Sequence, residues 1–175
     1  MLWSSAQSRL RTTTNTMAAA KSDSPRFTGE HDRTLDAALR VILPKDWRSP
    51  KITELYLIPG SAEAYIRAMP RWEYDGAVAK IAESKTLTPK EQTHHFRELG
   101  KCTRVKIDSS WRVALPSDLC ERIGVSAKKP DVILHGGVMN FEIWNPKALV
   151  EWTRKRTVPD ENGKLPMTVQ EYLGL

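Results

Sequence analysis

The chain has 175 residues, of which 40% are hydrophobic and 27% are charged, and its formal net charge is +6. This length holds one ordinary domain or two small ones that share a core, and the composition predicts a soluble globular protein. No apolar run approaches the roughly 20 residues that are needed to span a bilayer. The net charge permits a polyanionic partner but does not require one.

Residues 1–26 differ in composition from the rest of the chain. They are rich in Ser, Thr, Ala and Arg, and four basic side chains against Asp23 alone give them +3 of the net charge of +6. The composition superficially resembles a transit peptide, but the segment has too little apolar surface to fold alone. We expect a disordered N-terminal extension, or translation that begins at Met17, and almost no contribution of this segment to stability.

An internal repeat is the strongest signal in the sequence. Residues 36–46 (DAALRVILPKD) recur as residues 108–118 (DSSWRVALPSD), with six identities in register and no gap. Such self-similarity indicates a repeated structural unit. A weaker likeness continues downstream in a shifted register, which aligns Tyr65 with Phe141 and Pro70 with Pro146. The shift predicts a four-residue insertion in the second copy.

The first copy predicts a turn at Asp36, because an aspartate carboxylate accepts nearby backbone N–H bonds. A short strand over residues 40–43, a turn of helix near Asp46 and two further strands near Tyr56 and Tyr65 follow. Residues 71–84 are predicted to be helical, with an apolar stripe made of Trp72, Val78, Ala79 and Ala82.

The second copy repeats this order. Residues 103–107 alternate polar and apolar, as a half-buried strand does, and a turn from Asp108 leads into a strand over residues 112–115. Ser117 or Asp118 can cap a short helix that ends at Gly124. The last elements are two strands around a glycine turn and a final helix: residues 131–134, 140–144 and 146–156, with Gly136 and Gly137 in the turn.

Each copy is too small to bury a stable core alone, so we expect the two to pack together as a pseudo-dimer. The predicted fold is mainly β with short helices. The leucines before the two repeated prolines, Leu43 and Leu115, should face the shared core, and core packing is also expected for four tryptophans: Trp47, Trp72, Trp144 and Trp152. The predicted units are residues 1–26 (extension), 27–73 (first repeat), 74–98 (helix and linker), 99–147 (second repeat) and 148–175 (helix and tail).

Metal, cofactor and enzyme chemistry find little support in the sequence. Cys102 and Cys120 do not have the spacing of a metal-binding pair. We expect both to act as small buried hydrophobic residues, with a disulfide or redox switch as the alternative. His94 and His95 are adjacent and so point in different directions. The chain contains no nucleophile elbow, phosphate loop or zinc-protease motif. We therefore predict no metal, no cofactor, no small-molecule ligand and no enzymatic activity.

The two copies of Asp-x-x-x-Arg, each followed by an apolar residue, x, Leu and Pro, resemble the MraZ family. Those proteins are tandem-repeat members of the SpoVT/AbrB swapped-hairpin superfamily. The resemblance covers about residues 27–152, including the opening Phe-Thr-Gly at 27–29 and the Phe-Glu-Ile-Trp at 141–144. It implies two tandem swapped-hairpin units that form a pseudo-dimer.

The resemblance implies a function as well. A protein of this kind is a cytoplasmic, nucleoid-associated regulator that assembles into a homo-oligomeric ring. It binds short direct repeats in double-stranded DNA upstream of the division and cell-wall gene cluster and represses that cluster. By motif position, Arg40 and Arg112 correspond to the arginines linked to DNA contact, while Asp36 and Asp108 shape the turns.

The chain departs from the family at the residues just before each arginine. The family has Lys-Gly there, whereas this chain has Ala38-Leu39 and Ser110-Trp111. Glycine lets a turn take a positive φ, which larger side chains resist, and loss of the lysine removes a phosphate contact. Either the turn differs here, or Leu39 and Trp111 have gained a packing or interface role.

The basic residues near the motif favour the second copy. Arg104 and Lys106 lie on one face of a predicted strand, whereas the aligned positions in the first copy are Asp32 and Thr34. Arg104 and Lys106 are therefore candidate DNA contacts, with solvated strand charges as the alternative. The competing function is a ring-forming assembly or interaction protein that keeps the fold but has lost DNA binding.

Overall fold

The computed structural model describes residues 24–60 and 64–156, so most of the predicted N-terminal extension and the end of the predicted C-terminal tail lie outside the described residues. The described strands are β1 (Glu30–Thr34), β2 (Arg40–Ile42), β3 (Glu54–Pro59), β4 (Tyr65–Pro70), β5 (Thr103–Lys106), β6 (Arg112–Ala114), β7 (Asp131–Gly136) and β8 (Phe141–Trp144). The helices are α1 (Arg71–Ala82), α2 (Pro89–Leu99), α3 (Ser117–Arg122) and α4 (Pro146–Arg156), and a 3₁₀ turn covers Lys45–Trp47. The fold is mainly antiparallel β with short helices, which confirms the predicted fold class at this level.

The strands of the two copies are interleaved. The larger sheet has the order β1-β7-β8-β4-β3-β5, and β2 pairs with β6 in a separate two-stranded sheet. The first strand of each copy therefore joins the other copy: β1 pairs with β7, and its counterpart β5 pairs with β3, both antiparallel. Because every strand is short, this exchange lets each copy complete a sheet that it cannot build alone.

The strand pairing corrects the alignment of the second half of the repeat. Thr34 pairs with Asp131, and its counterpart Lys106 pairs with Glu54. Glu54 therefore corresponds to Asp131, which lies one position later in the second copy than the residue that the sequence alignment matched to Glu54. In β4 and β8 the same reasoning matches Ala68 to Ile143, one position earlier than expected. A one-residue slip would turn each side chain to the other face of the sheet, and the corrected register aligns buried residues with buried ones.

The two copies share one hydrophobic core, as expected. Phe27 and Trp47 from the first copy and Phe141 from the second pack with ring centroids 5.0–5.5 Å apart. Leu43 and Leu115 are both buried, which confirms their predicted positions. Among the predicted core tryptophans, Trp47 and Trp144 are buried, while Trp72 and Trp152 are half-buried. The interior is thus assembled from both repeats.

The helices agree with the sequence in position more than in detail. In α1, Ala79 and Ala82 are exposed rather than part of the buried stripe, which leaves the predicted packing to Trp72 and Val78. Helix α3 begins after Pro116 without a side-chain cap, so neither Ser117 nor Asp118 caps it. Within the described ranges, no helix combines the length and the apolar character needed to cross a membrane.

Helix α2 was not predicted: it lies in the linker part of residues 74–98, and it ends one residue beyond that segment, at Leu99. Its N-terminus is a capping box: the Thr88 side chain accepts the Glu91 backbone N–H, and the Glu91 carboxylate accepts the Thr88 backbone N–H at 2.8 Å. Proline at the first helical position, Pro89, fits the same pattern. The Thr-Pro-x-Glu sequence is therefore a local signal from which this helix could have been found.

The glycine turn between β7 and β8 lies one residue later than expected. Gly136 belongs to β7, and the turn is closed by the Gly137 backbone N–H, which donates to the Asn140 carbonyl at 2.8 Å. Gly136 is required for another reason, because a Cβ there would lie 2.5 Å from the Phe27 carbonyl oxygen. The positive φ in this turn belongs to Val138, at 68°.

We expect Leu43→Ala and Leu115→Ala each to lower the free energy of unfolding by about 2–5 kcal/mol, because each removes a buried side chain from the shared core. Urea unfolding of both variants measures this. Ile42→Ala, which truncates an exposed side chain next to Leu43, is the control and should stay within about 0.5 kcal/mol of the parent. Parent-like unfolding of both leucine variants would contradict this placement of the core.

Candidate nucleic-acid interface

The first Asp-x-x-x-Arg segment forms a tight turn organised by the Asp36 carboxylate. Oδ1 of Asp36 accepts the backbone N–H groups of Ala38 and Arg40 at 2.9 and 3.0 Å. Oδ2 accepts the Nε–H of the Arg40 side chain at 2.7 Å. One carboxylate therefore holds both the backbone of the turn and the arginine that follows it. We call residues 36–40 the Asp36 turn.

The second segment, the Asp108 turn (residues 108–112), has the same geometry. Oδ1 of Asp108 accepts the backbone N–H groups of Ser110 and Arg112 at 2.8 and 2.9 Å, and Oδ2 accepts the Arg112 Nε–H at 2.8 Å. Each of these bonds closely matches its counterpart in the Asp36 turn. The sequence repeat therefore corresponds to one hydrogen-bonding arrangement that occurs in both copies. In each, the aspartate shapes the turn and also orients the arginine.

The carboxylates in both turns are stabilised in their charged form. The pKa of Asp36 lies below its usual value, chiefly because the carboxylate accepts the Arg40 backbone N–H, while partial burial opposes this shift. The pKa of Asp108 is lowered for the same reason by the Arg112 backbone N–H. Hydrogen bonds to a charged carboxylate favour that form, so both turns are set up for an ionised aspartate.

Leu39 and Trp111 take the backbone conformation that the family's glycine would take. Their φ angles are 56° and 60°, in the left-handed region. The turn conformation is thus retained although neither residue is glycine, at a cost in strain. Leu39 also packs against the hydrophobic core, so one of the two has the packing role that the sequence left open.

The two turns lie at opposite ends of one short β-ribbon, formed by β2 and β6. Arg40 pairs with Ala114, Val41 with Val113, and Ile42 with Arg112. Backbone hydrogen bonds continue the ladder beyond both ends, from the Leu43 N–H to the Trp111 carbonyl and from the Leu115 N–H to the Leu39 carbonyl, each at 2.9 Å. The internal repeat therefore builds a symmetric element from one strand of each copy.

Side-chain alternation gives this ribbon a buried face and an outer face. The valines at its centre are buried, at 0% and 1% exposure. The other four side chains point outward and form what we call the ribbon face: Arg40, Ile42, Arg112 and Ala114. The arginine side chains are 36% and 33% exposed. Diagonal positions on paired strands lie about 7–8 Å apart, so the structure brings the two predicted arginines together on one surface.

The other predicted contacts, Arg104 and Lys106, lie on the edge strand β5 with both side chains exposed. Glu54 on β3 is the cross-strand partner of Lys106, and its Oε2 lies 3.7 Å from the Arg104 Nε. Part of this positive charge is therefore balanced by Glu54. At the aligned position of Lys106 in the first copy, the Thr34 hydroxyl donates to Asp131 Oδ1 at 3.0 Å.

Two arginines that the sequence did not single out lie beside the ribbon. The Arg33 Nε donates to the Ile42 carbonyl at 3.2 Å, and the Arg48 Nε and Nη2 donate to the Leu43 carbonyl at 3.0 and 2.9 Å. Because Ile42 pairs with Arg112, both lie at the Arg112 end. The second copy has Val105 and Cys120 at the equivalent positions, so the Arg40 end lacks this bracing. No pattern in the sequence predicts these contacts.

The cysteines and histidines of the described ranges are an alternative candidate site because these residue types can bind metals or react. Burial raises the pKa of both the Cys102 and the Cys120 thiol to about 11, so both stay protonated near neutral pH. Both are free thiols. Among the described residues, no group of three His, Cys, Asp or Glu side chains is arranged to hold a metal ion.

A comparison of glycine with alanine at the left-handed positions measures the strain in the turns. We expect Trp111→Gly to be more stable than Trp111→Ala by about 1 kcal/mol, and Leu39→Gly more stable than Leu39→Ala by a similar amount, because glycine adopts positive φ without steric cost. Ala38→Gly, one position earlier, is the control and should be destabilising. If alanine is the more stable residue at 39 and 111, the turns are not left-handed there.

The turns should also give stability a defined pH dependence. Because the folded pKa of each aspartate lies below its usual value of 3.8, the contribution is present above that value and is lost as the pH falls through the folded value. We expect the Asp36→Asn/Asp108→Asn variant to unfold more easily than the parent near neutral pH and to approach the parent below about pH 4. Thermal unfolding across this range measures the difference. Asp75→Asn, on the exposed face of α1, should match the parent throughout, and a constant difference in the aspartate-turn variant would contradict the assignment.

Comparisons with known proteins support the family resemblance that the repeated motif suggested. No family model matches the chain. A transcriptional regulator MraZ of Alcanivorax borkumensis is 27% identical over 149 residues, which cover 83% of this chain and 97% of that protein. A transcriptional regulator MraZ of Dehalococcoides mccartyi is 28% identical over 149 residues, which cover 83% of this chain and 99% of that protein. The likeness thus extends through both copies and is not confined to the two motifs, and the resemblance of this chain to the MraZ family of transcriptional regulators is confirmed.

Proposed function

We propose that the chain is a DNA-binding transcriptional regulator that contacts double-stranded DNA through the ribbon face. One observation supports this most directly: the two Asp-x-x-x-Arg turns lie at the ends of a single ribbon, with Arg40 and Arg112 on its outer face. The names of the relatives, transcriptional regulators, fit the same function. A binding protein of this kind is not an enzyme.

The ribbon has the shape that the major groove of DNA accepts. That groove is about 12 Å wide and admits a two-stranded β-ribbon. Arg40 and Arg112 are each held by their aspartate through Nε, and within the part of the chain that the structure describes their Nη atoms have no hydrogen-bond partner. The terminal nitrogens are therefore available for a phosphate or the edge of a base. Their orientation is fixed in advance, which lowers the cost of binding.

Electrostatic attraction should be stronger at the Arg112 end. Arg33 and Arg48 lie beside that end of the ribbon. We propose Arg104 and Lys106 on β5 as additional phosphate contacts toward the Arg40 end, because the bridge between Ile107 and Val113 places Lys106 beside Ala114, the partner of Arg40. The aspartates and Glu54 offset part of this charge. One chain therefore offers modest affinity for DNA, because non-specific binding through a few such contacts has a Kd of about 10⁻⁴–10⁻⁶ M at physiological salt.

We further propose that the protein acts as a homo-oligomeric ring. Linking several ribbons raises apparent affinity by about 10²–10⁴ when their spacing matches that of the sites. We propose that such a ring, located in the nucleoid, binds short direct repeats upstream of the division and cell-wall gene cluster. Binding there would repress that cluster. We also infer that residues 27–73 and 99–147 are swapped-hairpin units, an inference supported by the exchange of β1 and β5 between copies.

The arginines provide the test of this function. In titrations of DNA from the gene's own upstream region at two salt concentrations, Arg40→Ala and Arg112→Ala should each weaken binding about tenfold or more. Arg112→Ala should have the larger effect because Arg33 and Arg48 lie at its end of the ribbon, whereas Glu54 offsets part of the charge of Arg104. Both variants should keep the mass of the parent in light scattering, since each retains the backbone bonds of its aspartate.

Arg71→Ala is a matched control, because Arg71 also forms an ion pair with an aspartate four residues away, Asp75, but on an exposed helix. It should bind DNA like the parent. Equal binding by the parent and the Arg40→Ala/Arg112→Ala variant, with mass unchanged, would remove the ribbon from the DNA surface. Absence of any binding by the parent at low salt would favour an assembly protein that has lost DNA binding.

A further inference from the structure

An exposed aliphatic side chain lies on the surface proposed to contact DNA, at the Arg112 end of the ribbon. Ile42 is 47% exposed, one of four large hydrophobic residues with such exposure among those the structure describes. A single exposed hydrophobic residue is common on protein surfaces. Its position sets Ile42 apart, because it is the cross-strand partner of Arg112 and lies two residues from Arg40 on the same outer face.

The local structure fixes where Ile42 points. Its neighbour Val41 is fully buried, so alternation directs Ile42 outward, and the Arg33 Nε donates to the Ile42 carbonyl at 3.2 Å. A β-branched side chain is also restricted in its χ1 rotamer. The methyl groups of Ile42 are therefore presented from a braced strand, and no folding requirement within the described core explains their exposure.

The major groove contains one apolar group that distinguishes bases, the 5-methyl group of thymine. Arginine contacts to phosphates or to guanine cannot report it, whereas an aliphatic side chain beside them can. We propose, building on the DNA-binding function above, that Ile42 is a specificity-determining residue that packs against a thymine 5-methyl group next to the contact made by Arg112. The ribbon then selects thymine at that position.

The same argument makes the two ends of the ribbon unequal. The pseudo-symmetric counterpart of Ile42 is Ala114, which is exposed and pairs with Arg40. Alanine reaches less far from the strand and leaves a smaller apolar surface. The Ile42 end therefore distinguishes thymine from the other bases more strongly than the Ala114 end does, and the preferred DNA element is asymmetric.

Replacing thymine by uracil removes the methyl group and keeps the base pair. A random duplex library is first selected with the full-length parent, and the enriched duplex is then made with dU at each thymine in turn. We expect one substitution in each bound element to weaken the parent about three- to fivefold, the amount that corresponds to one buried methyl group. Ile42→Ala should lose most of this sensitivity and bind the thymine duplex close to the level of the parent on the uracil duplex.

Two variants serve as controls. Val150→Ala truncates an aliphatic side chain that is 68% exposed on α4, away from the ribbon, and should retain the parent's sensitivity to uracil. Ala114→Ile should add sensitivity at a second thymine, related to the first by the two-fold symmetry of the ribbon. This gain identifies the contact independently of any loss of folding in Ile42→Ala.

The possible failures are distinguishable. If the parent enriches a duplex but binds every uracil version equally, or if Ile42→Ala retains the sensitivity to uracil, DNA binding stands and the role of Ile42 is wrong. If Ile42→Ala lowers the mass of the assembly in light scattering, the side chain lies in a contact between copies of the chain and the proposal is overturned. If the parent enriches no duplex at low salt, the proposed function fails and this inference fails with it.

Discussion

The pairing of β2 with β6 is the interaction on which the rest of the structure depends. Each strand is very short and comes from a different copy, so neither could form a stable sheet within its own repeat. Val41 and Val113 meet at the centre of the pair and enter the shared core. The same ladder sets the distance and direction between the two Asp-x-x-x-Arg turns. Loss of this pairing would remove the contact between the two copies at the centre of the shared core. It would also remove the proposed binding surface.

The two aspartates stabilise a strained turn and also hold the arginine that follows it in one orientation. Each carboxylate satisfies two backbone N–H groups and one guanidinium N–H, which supports a left-handed residue where glycine would otherwise be favoured. The consequence is electrostatic, because an arginine paired with its own aspartate adds little net charge to the surface. In the proposed function, affinity for DNA would then come from oriented hydrogen bonds and from several subunits rather than from a strongly positive surface.

The two-fold symmetry of the fold is approximate, and its departures concentrate at the ribbon. Arg33 and Arg48 brace one end only of the pair, and Ile42 on one strand corresponds to Ala114 on the other. A symmetric dimer binds a palindromic element, since its two halves present identical side chains. A tandem repeat in one chain is free to differ between its halves. If the ribbon binds DNA as proposed, its unequal ends would suit an element that has a direction, as a direct repeat does.

The sequence by itself determined the repeat, the positions of most strands and the two aspartate turns, because these depend on alternation and on hydrogen bonds between residues close together in the chain. It also placed Leu43 and Leu115 in the core. The interleaved sheet and the register of the second half of the repeat were decided only by the tertiary structure, because strand register depends on pairing between distant segments. The contacts of Arg33 and Arg48 with the ribbon also depend on the tertiary structure. A long flexible side chain bonds whichever carbonyl the fold brings within its reach, so the neighbouring sequence does not predict which carbonyl that is.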